Sequence, residues 1–183
     1  MSEELIIRHC APTLAGLKTG NLFSCACTSR EDLTAALREL NRKLVPKGIR
    51  VIPLRLHGER ALIYVYRYSG LKRDLSNRQA RALLEENGYV PECADRCIMR
   101  LIERIGTSEE FPHEIGLFLS YPPEDVCAFI ANKACEHKCV GCWKVYGDVD
   151  AAQRTFARYE KCTRVYGERW KSGRTLERLT VAG

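Results

Sequence analysis

Three cysteines in one short stretch, Cys135, Cys139 and Cys142, are the residues whose type and spacing most directly suggest chemistry. Thiolates are soft ligands that suit both zinc and iron–sulfur clusters. The C-x3-C-x2-C spacing is that of the iron–sulfur motif of radical enzymes using S-adenosylmethionine, in which three thiolates hold a cluster and leave one iron open. That motif opens a large βα barrel, whereas here only 41 residues follow Cys142, and Gly141 stands where an aromatic is usual. Zinc is therefore expected ahead of an iron–sulfur cluster. Cys162 is the expected fourth ligand, with His137 or Cys127 as alternatives, because zinc accepts sets of four cysteines or of three cysteines and a histidine.

A second group lies near the N-terminus. His9 and Cys10 stand where a strand, read over Glu4–His9, gives way to a helix start at Pro12 and Thr13. Free backbone N–H groups at such a start can hold an anion, and Lys18 follows about one turn later. A site for a small anionic ligand is thus expected from His9, Cys10, Thr13 and Lys18, joined by His113 and Tyr121 from a second turn-and-helix segment, His113–Asp125. Gly16 and Gly20 do not make a recognised phosphate loop. Cys10 is also a candidate nucleophile, with His113 as its base and Glu114 as the acid that orients the base. A third set, Tyr64, Tyr66 and Tyr68, falls on one face of a strand because side chains alternate. It could stack bases, which makes nucleic acid an alternative partner.

The elements that must position these groups follow from periodicity. Leu33, Leu37, Leu40 and Leu44 form one helical stripe behind Ser29 and stop at Pro46-Lys47-Gly48. Ile49–Leu56 and Arg60–Tyr68 read as an antiparallel hairpin, with Pro53 at an edge or a bulge. Ser76 is expected to cap a helix that ends at Asn87-Gly88. A further helix after Pro91 buries Ala94, Cys97, Ile98, Leu101, Ile102 and Ile105. Ile115–Leu119 fits a short strand or a helical turn, Pro123 opens a helix, Cys142–Tyr146 reads as a strand, and Asp148 caps the next helix. The fold class expected is α/β (α+β), a single domain over residues 1–166 with a mixed sheet, an antiparallel hairpin and flanking helices. Residues 167–183 read as a basic C-terminal tail.

The 29 Lys and Arg residues against 23 Asp and Glu leave a net charge of +6. Between Arg154 and Arg178 eight basic residues face three acidic ones, so the C-terminal end is the basic end and the part best suited to phosphate contacts. Apolar runs fall far short of the roughly 20 residues of a membrane helix. The opening MSEELIIRHC carries acids where a signal peptide carries positive charge. A cytoplasmic protein is expected, with its ten cysteines reduced.

Three stretches carry a family resemblance. They are His9–Lys18 (HCAPTLAGLK), His113–Leu119 with Tyr121–Val126 (HEIGLFL and YPPEDV), and Trp143–Asp148 (WKVYGD). With these, nearly the whole chain resembles a family of uncharacterised bacterial proteins, a domain of unknown function common in anaerobic Gram-positive bacteria. The resemblance implies a single cytoplasmic domain and no assigned activity.

Overall fold

In the computed structural model, which describes residues 2–107 and 110–183, the chain begins with a helix rather than a strand. Ser2 caps α1 (Glu3–Leu14), its hydroxyl accepting from Leu5 N at 3.4 Å, and Glu3 and Glu4 lie in the first turn, where the helix dipole favours acids. The expected strand Glu4–His9 is therefore corrected. Leu5–Ile7 is too short an apolar run to fix a period, but Ile6, Ile7, Cys10, Ala11 and Leu14 are all buried, at helical spacing. Pro12 lies inside the last turn, where its missing N–H removes one ladder bond without ending the helix.

β1 (Gly20–Ala26) follows, then α2 (Arg30–Leu44), capped by Ser29 through Asp32 N at 3.2 Å. A 3-10 turn, Val45–Lys47, closes on Gly48, whose φ of +79° suits glycine. β2 (Ile49–His57) and β3 (Arg60–Arg67) form the expected hairpin, and β1 pairs with the other edge of β3, giving the order β1-β3-β2. Both ladders are antiparallel, so this sheet is not the mixed one expected. Pro53 lies on the edge strand and at a register shift, two places where no ladder N–H is needed. Asn41 of α2 gives its amide to Val51 O (2.7 Å) and accepts from Val51 N (2.9 Å), which satisfies part of that open edge.

α3 (Tyr68–Leu75) leads to α4 (Arg78–Glu86). Its cap is Asn77, which accepts from Gln79 N and Ala80 N, rather than Ser76. α5 (Ala94–Thr107) buries Ala94, Cys97, Ile98, Leu101 and Ile105 as expected. Ile115–Phe118 is a short helix, α6, and α7 (Pro123–Ala131) starts at its proline. β4 (Cys139–Val140) and β5 (Lys144–Val145) make a small antiparallel hairpin. Asp148 then caps α8 (Val149–Lys171) by accepting from Ala151 N at 2.9 Å. α8 continues past Gly167 into the expected tail, and α9 (Leu176–Leu179) buries Leu176 and Leu179.

By contacts the chain divides into two units, Met1–Leu71 with Lys161–Gly183, and Lys72–Glu160. The first has its core between α1, α2 and one sheet face, where Phe23, Ile49, Val51, Ile63 and Val65 meet the leucine stripe and α9. The second contains a cluster of Trp143, Val145, Ala152 and Tyr159. Among the described residues no helix is long and apolar enough to cross a membrane.

Candidate functional site

The second unit holds the most developed site, and Asp125 organises it. α7 places this residue in its first turn, 3% exposed, where its carboxylate accepts from Trp143 Nε1 (2.7 Å), Tyr146 N and Gly147 N (both 2.8 Å). One side chain thus fixes the indole and ties the chain after β5 to the start of α7. The indole in turn meets Tyr121, with ring centroids 5.1 Å apart, and stands edge-on to Phe156 at 4.5 Å. Gly141 lies so close to the Phe156 ring that a Cβ would collide with it. A Cβ on Gly116 would come within 2.8 Å of Val126 and 3.0 Å of Tyr121, so glycine lets α6 approach α7.

Gly116, Tyr121, Asp125, Val126, Gly141 and Trp143 line a solvent-open cavity of about 310 Å³. Tyr121, Phe129 and Trp143 supply ring surface to it, and His113, Asp125 and Lys144 are its ionisable lining residues. Burial, and secondarily the Cys142 thiol, push the Tyr121 phenol up from its ordinary value, so it stays protonated. His113 is exposed and meets Phe129 at a ring distance of 5.0 Å. The Lys144 ammonium donates to Ala134 O at 2.8 Å and lies 5.8 Å from the centre of the Phe129 ring. Ala134 presents that carbonyl from a left-handed stretch, with φ of +47° at Lys133, +64° at Ala134 and +58° at Glu136. Non-glycine residues in that region store about 1 kcal/mol or more each.

Of the residues expected to bind a small anion, His113 and Tyr121 line this cavity, while His9, Cys10, Thr13 and Lys18 belong to the first unit. The premise of an anion-holding helix start at Thr13 is overturned, because Thr13 stands in the last turn of α1, where carbonyls rather than N–H groups are free. Arg67 caps that end, donating to Thr13 O (2.7 Å), Leu14 O (2.8 Å) and Val181 O (2.7 Å). Thr13 Oγ1 donates to Asn21 at 2.7 Å, Lys18 is buried, and His9 is exposed and stacked on Phe23 at 5.2 Å.

The catalytic candidates fare similarly. Cys10 is fully buried, and burial raises its thiol far above the ordinary value despite the nearby Lys18 charge, which leaves no thiolate for attack. Glu114 points into the second unit, where it accepts from Tyr89 (2.8 Å) and pairs with Arg104 (2.7 Å) instead of orienting His113. Among the described residues, no group of three or more His, Cys, Asp or Glu side chains is arranged to hold a metal ion. Cys139 stands on the small ladder opposite Val145 and packs on the Trp143 cluster, Cys142 is in the exposed turn, Cys135 precedes the hairpin, and Cys162 lies in the first unit. Tyr64 and Tyr66, read as a base-stacking face, are buried and stacked on each other at 4.7 Å.

Sequence reasoning did not assign Phe129, Lys144, Asp125 or Trp143 to a site. A usable signal existed, since YPPEDV and WKVYGD hold Asp125, Trp143 and Lys144, but only the fold brings the two motifs together. No curated protein and no solved structure matches the chain. A family model described as "Protein of unknown function (DUF3793)" matches residues 6–180, and the chain belongs to that family.

Proposed function

We propose that this protein binds a small anionic molecule with a largely apolar body in the cavity of its second unit. Ligand sites are concave, mostly apolar and carry few polar groups, and the cavity has that composition. The sign of the ligand's charge follows from which polar group has capacity to spare. Asp125 already accepts three hydrogen bonds of the roughly four its oxygens can take. Lys144 donates to one backbone carbonyl and has three protons, so a carboxylate or similar anion can take the others. Lys144 beside an aromatic lining is the observation that carries this reading.

The test is thermal unfolding against a panel of small organic acids. A ligand that binds only the folded state raises the melting temperature in proportion to the logarithm of its concentration. At least one acid is expected to do so, with the shift lost in Lys144→Met and retained in Lys18→Met, which alters the other expected site. A panel without any shift, or a Lys144→Met protein that responds like wild type, would overturn the proposal.

A further inference from the structure

We infer that the ligand of this cavity is an aromatic monocarboxylate of one or two rings. The inference rests on the small-anion reading above and names the chemical class. Size sets the first limit. A cavity of about 310 Å³ has room for on the order of ten waters at about 30 Å³ each. That suits a benzene or indole ring with a carboxylate.

The walls set the second limit. Tyr121, Phe129 and Trp143 present ring surface, and aromatic pairs gain about 0.5–1.5 kcal/mol beyond their buried area, which a saturated ring of equal size cannot collect. The Trp143 ring is held by Asp125 and packed between Tyr121 and Phe156, so it offers a fixed face rather than a mobile one. Such prior ordering lowers the entropy cost of binding.

Lys144 sets the third. Its ammonium is anchored on Ala134 O while lying within 5.8 Å of the Phe129 ring centre, so the cation sits beside the ring surface that would take the ligand's ring. A carboxylate attached directly to a ring puts charge and ring at that same short separation. An aromatic lining with a carboxylate can also suit a methylated ammonium. Here Lys144 opposes a second cation, and Asp125 is committed to Trp143, Tyr146 and Gly147.

The experiment is calorimetric titration of the full chain with benzoate, indole-3-carboxylate, cyclohexanecarboxylate, benzamide, tetramethylammonium and adenosine monophosphate. Benzoate or indole-3-carboxylate is expected to bind tightest. Cyclohexanecarboxylate should be weaker by about two- to tenfold, the worth of the ring contacts, and benzamide by about tenfold or more, for loss of the charged hydrogen bond. The tetramethylammonium ion should not bind, and the nucleotide should bind more weakly than either aromatic acid. Phe129→Leu serves as a second variant, because Phe129 is only partly buried. It should narrow the gap between benzoate and cyclohexanecarboxylate, with Tyr121 and Trp143 still in place, while both still bind. Equal affinity of the two acids for wild type overturns the aromatic class and leaves the small-anion reading standing. Preference for tetramethylammonium or the nucleotide overturns the class as well. Failure of every carboxylate removes the small-anion reading itself.

Discussion

In each unit a buried charged side chain gathers three hydrogen-bonding groups, and the two charges have opposite signs. In the first, Arg67 gathers the carbonyls of Thr13, Leu14 and Val181. In the second, Asp125 gathers the N–H groups of Trp143, Tyr146 and Gly147. Arg67 closes a helix C-terminus, where a cation is favoured, and binds the C-terminal segment onto it. Asp125 stands in a helix's first turn, where an anion is favoured, and steadies a hairpin that borders open space. The same device therefore seals one unit and frames a cavity in the other, because of what each charge is attached to.

Removing the Asp125 carboxylate should have a large effect, and removing the Arg67 cation a smaller one. Asp125→Ala leaves three N–H groups without their acceptor, whereas Arg67→Met leaves Val181 O without its donor while Thr13 O keeps Gly16 N and Leu14 O keeps Val181 N. At about 1–3 kcal/mol for each buried group left unsatisfied, less what water recovers, Asp125→Ala should lose about 3 kcal/mol or more and Arg67→Met about 1–3 kcal/mol. Urea unfolding gives the size, and tryptophan emission, read in a Trp170→Phe background so that Trp143 alone reports, separates the two variants. Asp125→Ala frees the Trp143 indole and should shift native-state emission to the red, while Arg67→Met should leave Trp143 in place. A native emission spectrum unchanged by Asp125→Ala would break the comparison.

Truncation in the two apolar regions sharpens it. Ile63 is 0% exposed in the closed core of the first unit, so Ile63→Ala should cost about 2–5 kcal/mol. Phe129→Leu changes a partly buried wall beside existing space, and should cost under about 1 kcal/mol. Equal losses in urea unfolding would mean that the cavity wall is packed as tightly as the core.

The first unit was the more legible in sequence, and the reason is periodicity. Leu33, Leu37, Leu40 and Leu44 repeat over three turns, and the strands Ile49–His57 and Arg60–Arg67 are long enough to show alternation with a break at Gly58. Glu4–His9 misled because three apolar residues fit either period, and Pro12 reads as a stop although a proline in a last turn removes only one bond. Much of the second unit is built from short pieces, α6 of four residues and β4 and β5 of two each, which carry no period to read. Its site depends on bringing Tyr121, Asp125, Phe129 and Lys144, up to 23 positions apart, around one cavity, and on an aspartate whose side chain reaches 18 to 22 residues along the chain. Cysteine spacing drew attention to Cys135–Cys142, yet the neighbours that matter there are Trp143 and Lys144.

Gly141→Ala should give an intermediate effect confined to the second unit. The added methyl meets the Phe156 ring, and overpacking of this kind costs about 1–3 kcal/mol. Because Gly141 also lines the cavity, affinity for benzoate should fall along with stability. Gly16→Ala in the first unit is the matched control. There φ is +75° and the nearest foreign atom is 3.8 Å away, so the cost is backbone strain alone, about 1 kcal/mol, with benzoate affinity unchanged. Measured together, the pair separates crowding at the cavity wall from a general loss of stability.

A dependence on alkaline pH is also expected, and part of it can be assigned to each unit. Burial, with a smaller contribution from Cys93, pushes the Cys97 thiol from 9.0 up to about 11. Its Sγ donates to Val90 O at 3.3 Å, an arrangement that requires the proton. A thiol with its folded pKa above the unfolded one holds its proton more tightly in the folded protein, so its contribution is fully present below pH 9 and is lost as pH rises toward about 11. The Cys10 thiol of the first unit is raised in the same sense, so wild type should lose stability over this range through both. Cys97→Ala should flatten part of the decline of the urea midpoint between pH 9 and 11, and Cys10→Ala a further part, with the rest due to other groups that burial raises, Cys162, Tyr89 and Tyr159 among them. If the midpoint of Cys97→Ala falls as steeply as that of wild type, Cys97 is ionised in the folded protein and the packing of α5 around it is looser than that of α1 around Cys10.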